Sequence, residues 1–265
     1  MGYKVGICQF KPEFLQKEKN LEKMGDLLRN VTADLIVLPE LASSGYIFNL
    51  KEEVKSISEN PQNGPTAVAF KKLAKQNNTS YVVGIAEKSN EYIYNSAILI
   101  NPDGSVQLYR KTHLFFEEKK WFKAGDTGFN VFNAKNNIKI GIMICFDWIF
   151  PESARSLALA GAQIIAHPTN LVLPWGQQAM LTRSLENGVF SLTSNRTGRE
   201  KNGDKQLNFT GMSQVVNTKG QIIHRMDQTE ESVFVTEIDP LVAEDKSVTE
   251  FNDLLSDRRT EMYKL

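Results

Sequence analysis

Apolar and polar positions along this chain follow two periods that alternate through its first two thirds. Residues 3–10 read as a strand in which Val5 and Ile7 alternate with Cys8. A helical stretch follows, with Phe14, Leu21, Met24 and Leu28 on one face. Leu35, Ile36, Val37 and Leu38 then form an unbroken apolar run, the mark of a strand buried on both sides, so the opening reads as a β-α-β unit. A second helix is predicted over 66–76, opened by Gly64 and Pro65, and Tyr81, Val82, Val83 and Ile85 follow as a strand.

Residues 92–111 hold two strand runs around Asn101, Pro102, Asp103 and Gly104, whose proline and glycine suit a tight turn, and this predicts a hairpin. A similar turn recurs at Asn217, Thr218, Lys219 and Gly220. A helix over 152–161, with Ala154, Leu157, Ala158 and Gly161 at helical spacing, a strand over 163–166 and a helix over 177–187 return the chain to α/β alternation. The expected architecture is a mixed-sheet sandwich covered by helices. No linker, charge block or repeat divides it, so residues 1–265 are read as one domain. Residues 240–265 are polar, with scattered Val242, Phe251, Leu254, Leu255 and Tyr263, and are expected to form an arm on the surface or against a partner subunit.

Composition narrows the partners. Lysine plus arginine equal aspartate plus glutamate at 31 each, so nothing points to a nucleic acid, and a small neutral substrate fits better. The N-terminus lacks the basic and apolar regions of a secretory signal, and no apolar stretch reaches membrane-spanning length, so a cytoplasmic protein is expected. Cys8 and Cys145 are too few for a disulfide framework or a zinc site. The histidines His113, His167 and His224 lack ligand spacing, and no nucleotide-binding or serine-elbow motif occurs, so no metal and no cofactor is expected.

Cys8 reads as a core thiol in its strand. Cys145 differs: it ends an apolar run beginning near Asn137 and stands just before a helix carrying Pro151 in its first turn. There the helix dipole would favour thiolate over thiol. Glu40 follows a buried strand and Pro39, a setting in which a carboxylate is desolvated or turned into a cleft, with its pKa moved toward that of a general base. Lys111 ends a strand before His113, Leu114 and Phe115; beside Cys145 it would lower the thiol pKa and offer a positive donor to an oxyanion. Taken singly, each has a plain alternative: a packed thiol, an exposed glutamate, a solvated lysine.

Together these motifs resemble the nitrilase superfamily of carbon-nitrogen hydrolases over essentially the whole chain. The resemblance is carried by Leu38, Pro39 and Glu40 with Gly45 and Tyr46; by Tyr109, Arg110, Lys111, Thr112 and His113; and by the run from Gly141 through Cys145, Phe146, Asp147 and Trp148 to Arg155. It implies an α/β fold, a four-layer α-β-β-α sandwich with two mixed sheets, assembled as homodimers or larger oligomers. It implies a Glu40, Lys111 and Cys145 triad, and a second glutamate seven residues past the lysine, Glu118, that holds Lys111 and the substrate. The backbone N–H of Phe146 would join Lys111 around the oxyanion.

Phe146 and Asp147 stand where true nitrilases of the family carry Trp-Glu, which is similar to the amidase branches. Ile149 stands where some members of those branches bind a substrate carboxylate with arginine. The expected activity is therefore hydrolysis of a small aliphatic amide or N-carbamoyl compound to acid and ammonia through a thioester. The alternatives are a nitrilase acting on aliphatic mono- or dinitriles and a non-catalytic scaffold on the same fold. Phe116, Trp121, Phe146, Trp148 and Trp175 offer apolar walls for such a substrate, and Tyr46 and Asn170 are further pocket residues by resemblance.

Overall fold

In the computed structural model, which describes residues 2–264, the valine- and isoleucine-rich runs become the centres of two sheets. In chain order the first elements are β1 (Tyr3–Gln9), α1 (Lys17–Leu28), β2 (Leu35–Val37), α2 (Lys51–Ile57), α3 (Pro65–Asn77), β3 (Ser80–Ser89), β4 (Tyr92–Ile100) and β5 (Val106–Arg110). Next come α4 (Glu118–Trp121), β6 (Val131–Asn133), β7 (Lys139–Ile142), α5 (Pro151–Leu159), β8 (Ile164–Thr169), α6 (Gly176–Asn187) and β9 (Phe190–Asn195). The chain closes with β10 (Arg199–Asn202), β11 (Lys205–Asn208), β12 (Gln214–Val216), β13 (Ile222–Arg225), β14 (Ser232–Ile238), β15 (Ser247–Thr249) and β16 (Asn252–Asp253).

One six-stranded sheet runs β14-β1-β2-β3-β4-β5, the other β13-β12-β9-β8-β7-β6. Both follow one plan. Three central strands are parallel, β1, β2 and β3 in one sheet and β7, β8 and β9 in the other, and every outer neighbour is antiparallel. Alternation sorts their side chains. Val5, Ile7, Leu35, Val37, Val82 and Leu99 face the second sheet, while Cys8, Ile36, Leu38, Tyr81, Val83 and Ile98 turn outward against Met24, Leu28, Phe70 and Ala74 of α1 and α3. On the second sheet Gly141 faces α5, where an added Cβ would meet Leu157 at 2.9 Å, so only glycine lets the helix lie this close. Its neighbours Ile140 and Ile142 point inward, in register with Ile164 and Ala166. The result is four layers, helices α1 and α3, two sheets, then α5 and α6, with each buried Val, Leu or Ile contributing about 1.5–3 kcal/mol of transfer free energy.

Three details differ from the sequence reading. Phe14 precedes α1 and packs with Phe48 in a separate cluster, since the helix begins only at Lys17. Of the expected arm 240–265, residue 265 lies outside the described residues. Within the rest, Val242, Phe251 and Tyr263 are exposed, Ala243 enters the core, and Lys246 Nζ donates to the carbonyls of Asn187 and Gly188 at 3.0 and 2.8 Å, a cation on the C-terminus of α6. The strand β14 pairs with β1 along its whole length, a partnership more than 200 residues apart in sequence that the local pattern did not predict. Among the described residues no helix is long and apolar enough to cross a membrane.

Candidate active site

The ends of the parallel strands converge, as ligand sites do in open α/β sheets. Glu40 stands in the turn just past β2, and its strand partner β3 makes room for it. An added Cβ on Gly84 would meet Leu41 N at 2.5 Å and Glu40 Cα at 2.6 Å, while Gly84 itself exchanges backbone hydrogen bonds with Pro39 and Ala42. Leu41 is left in the left-handed region at φ 48°, a strained conformation for a branched side chain. The Glu40 carboxylate is fully buried. Its Oε1 accepts from Asn95 Nδ2 and from Lys111 Nζ, each at 2.7 Å, whereas Oε2 has no hydrogen-bond partner.

Lys111, at the end of β5, is equally buried and bridges two carboxylates, with Nζ 2.7 Å from Glu40 Oε1 and 2.8 Å from Glu118 Oε1. Burial works to lower the pKa of this ammonium, but Glu118 and Glu40 outweigh it and hold the group charged, its pKa well above the ordinary lysine value. Glu118 opens the short α4, and its Oε1 also accepts from the Tyr46 hydroxyl at 2.7 Å while Oε2 takes the Phe115 N–H at 3.2 Å. Burial pushes its carboxyl up, with Lys111 pulling against the shift and Glu40 adding to it. The adjacent Glu117 pairs instead with Lys120 and Lys205. Of the two neighbouring glutamates, Glu118 is the one that meets Lys111.

Cys145 sits in a tight turn between β7 and α5. The helix α5 begins at Pro151 as expected, but a 3-10 turn over Cys145–Ile149 stands between it and the thiol. Its own backbone is in the left-handed region at φ 42°, as is that of Phe116 at φ 46°, so strained residues stand beside the thiol and both glutamates. The turn is tied from below by Asp147, which accepts from Ile144 N, the Tyr109 hydroxyl, His113 N and His113 Nδ1 at 2.7–3.1 Å. His167 donates from Nε2 to the Cys145 carbonyl at 3.0 Å, and burial pushes this imidazole down to about 4, so it is neutral at pH 7.

The thiol pKa also departs from expectation. Burial first, then the charges of Glu40 and Glu118, push Cys145 well above the ordinary thiol value, with Lys111 and the Asn170 backbone N–H pulling only partly against them. These contributions favour the protonated thiol over a standing thiolate, next to a carboxylate with a free oxygen. Cys8 is buried with its thiol pushed up to about 12, chiefly by desolvation.

Two hollows flank this cluster. A narrow cleft at the sulfur is lined by Cys145, Phe146, Trp148, Asn170 and Val172, and both polar atoms of the buried Asn170 side chain lack a partner there. A chamber of about 310 Å³ beside Glu118 is lined by Tyr46, Phe116, Trp121 and others. Phe116 is 76% exposed and forms only its rim. Trp175 is 60% exposed at the start of α6 and lines neither hollow, so the expectation that it walls the pocket is withdrawn. Asp147 was named in the sequence motif and His167 among the histidines, but Asn95 and the fully buried Arg196 with Glu200 were missed in the sequence. Glu200 Oε1 accepts from Tyr46 N and Ile47 N at 2.8 and 2.6 Å and so fixes the loop that carries Tyr46. Of these only Asn95 had left a signal, a polar residue inside the apolar run of β4. Among the described residues no group of three or more His, Cys, Asp or Glu side chains is arranged to hold a metal ion.

Known proteins share this arrangement of sequence and fold. A protein of Pyrococcus abyssi named as a nitrilase is 42% identical over 263 residues, spanning 98% of each chain. An N-carbamoylputrescine amidase of Arabidopsis thaliana is 33% identical over 253 residues, covering 88% of this chain and 84% of its own. The crystal structure of a carbon-nitrogen hydrolase from Helicobacter pylori G27 superposes with a TM-score of 0.85 at 25% identity, covering 99% of this chain and 97% of that one. With residues 4–246 matching the carbon-nitrogen hydrolase family, the chain belongs to that family, in the nitrilase superfamily.

Proposed function

We propose that the chain is an amidase that cleaves a small amide or N-carbamoyl compound to acid and ammonia through a thioester on Cys145. The observation that carries this reading is the buried, unpartnered Oε2 of Glu40, near enough to the Cys145 thiol for its charge to push that thiol's pKa up. A base with one oxygen fixed by Asn95 and Lys111 and the other free is prepared to take one proton.

In the first step the Cys145 Sγ–H proton passes to Glu40 Oε2 as the S–C bond forms at the substrate carbonyl, and the π pair moves onto oxygen. That oxyanion is held by the Lys111 ammonium and the Phe146 N–H, which lies in the first turn of the 3-10 segment where backbone donors have no intrahelical acceptor. Such donors contribute about 3–4 kcal/mol each. The C–N bond then breaks, Glu40 returns its proton to the departing nitrogen, and the thioester remains. Water gives a proton to Glu40 and attacks, and the sulfur leaves with that proton, restoring the thiol and releasing the acid. Lys111 keeps its charge throughout, because two carboxylates grip it, and Glu118 with Tyr46 holds it in place.

A nitrile reading has its own support in the 42% identity to a relative named as a nitrilase. The same thiol would then add to the nitrile carbon, and two waters would be consumed in place of one. Phe146 and Asp147 after the nucleophile favour the amidase. Ammonia release from short amides, N-carbamoyl amines and nitriles, with Cys145→Ala as control, decides the matter. Retained turnover by Cys145→Ala sinks the whole reading, and rapid nitrile turnover with negligible amide turnover selects the alternative.

A further inference from the structure

The chamber beside Glu118 bears on which substrate the site accepts. At about 310 Å³ it lies at the small end of ligand pockets, which run from roughly 300 to 1,000 Å³. It adjoins the cleft at Cys145, since Phe115 and Val172 line both, so a substrate with its carbonyl at the sulfur has its remainder directed here. The walls are Phe48, Trp121, Phe122 and Leu207, and Phe48 and Phe122 pack edge to face with ring centroids 6.1 Å apart, which gives the apolar surface a fixed shape.

Charged side chains reach the chamber at three positions, and each is already engaged. Glu118 is engaged by Lys111, the Tyr46 hydroxyl and the Phe115 N–H. Glu117 Oε2 is bound by Lys205 Nζ at 2.5 Å across the mouth, and its Oε1 by Lys120 Nζ at 2.6 Å. Among the described residues lining the chamber, every charged side chain is already in an ion pair, and the uncharged polar groups are the Gln206 amide, the Tyr46 hydroxyl and the Trp121 indole N–H. A charged end brought there must compete with the partly exposed Glu117–Lys205 pair or lie against the apolar walls without a partner.

We infer that this chamber is a tail subsite that selects substrates with an uncharged aliphatic chain on the carbonyl, and that the Glu117–Lys205 pair is the element that excludes charged tails. The inference rests on the proposed chemistry at Cys145 and assigns the substrate class of that same site. Lys205 comes from β11, in the hairpin whose other strand carries Glu200, so one short hairpin both closes the mouth and fixes the Tyr46 loop.

The test is kcat/KM for ammonia release along acetamide, propanamide, butanamide and hexanamide, with heptanamide compared against 6-aminohexanamide and adipamic acid. The expected result is a rise of about fourfold per methylene until the chamber fills, the equivalent of about 0.8 kcal/mol per buried CH₂, and at least tenfold lower values for both charged tails. Lys205→Ala frees Glu117 Oε2 and is expected to improve 6-aminohexanamide relative to heptanamide by at least tenfold while leaving adipamic acid poor. A flat series in the native protein, or a native preference for a charged tail, overturns the inference. If no amide is turned over at all, the chemistry at Cys145 has failed, and the subsite is judged separately from the thermal shift of Cys145→Ala. Hexanamide raising Tm where acetamide and 6-aminohexanamide do not supports the chamber, and equal shifts overturn it.

Discussion

Lys111→Met removes the one cation shared by two buried carboxylates. At separations of 2.7 and 2.8 Å, each contact carries about 6 kcal/mol of attraction at an effective dielectric constant of about 20. Much of that is offset by the cost of burying the ions, and removing one partner of such a pair costs about 3–5 kcal/mol, because the other charges stay buried and uncompensated. The loss should depend on pH in a definite direction. Burial already pushes the Glu118 carboxyl up, Lys111 is the group pulling it down, and Glu40 pushes it further up. Without Lys111 the folded-state value climbs away from the unfolded one. A carboxyl whose folded value is raised favours the folded state below its unfolded value and loses that advantage as pH rises through the folded value. The deficit of Lys111→Met is therefore largest at pH 8 and shrinks toward pH 5, by about 1.4 kcal/mol per pH unit as Glu118 takes up a proton. Urea unfolding of both proteins, followed by tryptophan fluorescence at the two pH values and one protein concentration, measures it. A deficit below about 1 kcal/mol at pH 8, or one equal at both pH values, refutes the reasoning.

Tyr46→Phe deletes the hydroxyl that donates to Glu118 at 2.7 Å; hydrogen bonds to charged groups are worth about 1.5–3 kcal/mol, so kcat should fall by about 10- to 150-fold, and a loss under threefold would remove Tyr46 from the positioning chain. Arg196→Met leaves Glu200 buried without its cation and should cost about 3–5 kcal/mol in urea unfolding; a cost below about 1 kcal/mol would show that the Tyr46 and Ile47 amides alone satisfy that carboxylate. With its thiol pushed up to about 12 inside the core, Cys8 should resist iodoacetamide at pH 8 for as long as the protein stays folded, and peptide mapping that finds Cys8 modified in native protein would contradict the packing described.

What could be read from the sequence was whatever depends on local pattern. The run Leu35 to Leu38 is apolar at every position because both faces of β2 are covered, by the second sheet on one side and by α1 and α3 on the other. The hairpin turn at Asn101 to Gly104 was legible because Gly104 takes φ 83°, which few other residues tolerate. What could not be read depends on tertiary partners. Arg196 and Glu200 lie in a stretch with the composition of a surface loop, and only the fold buries them against Phe209 and the Tyr46 loop. Trp175 and Trp148 look alike in sequence, yet Trp148 is buried behind the nucleophile turn while Trp175 stands in solvent at a helix start. The Cys145 thiol shows the same dependence on tertiary partners. A nearby lysine and helix suggested a thiolate, whereas the thiol is desolvated and faces two carboxylates against one ammonium.

The central claim is that Cys145, deprotonated by Glu40 on demand, carries the acyl group. The most direct measurement is rapid acid quench of the protein with a slowly hydrolysed amide, followed by peptide mass mapping. The account predicts an added mass equal to the amide minus ammonia, confined to the peptide containing Cys145, labile to hydroxylamine as a thioester is, and absent from Glu40→Gln quenched at the same early time. Turnover of the amide with no covalent intermediate on Cys145, or an adduct formed as fast in Glu40→Gln, would contradict it.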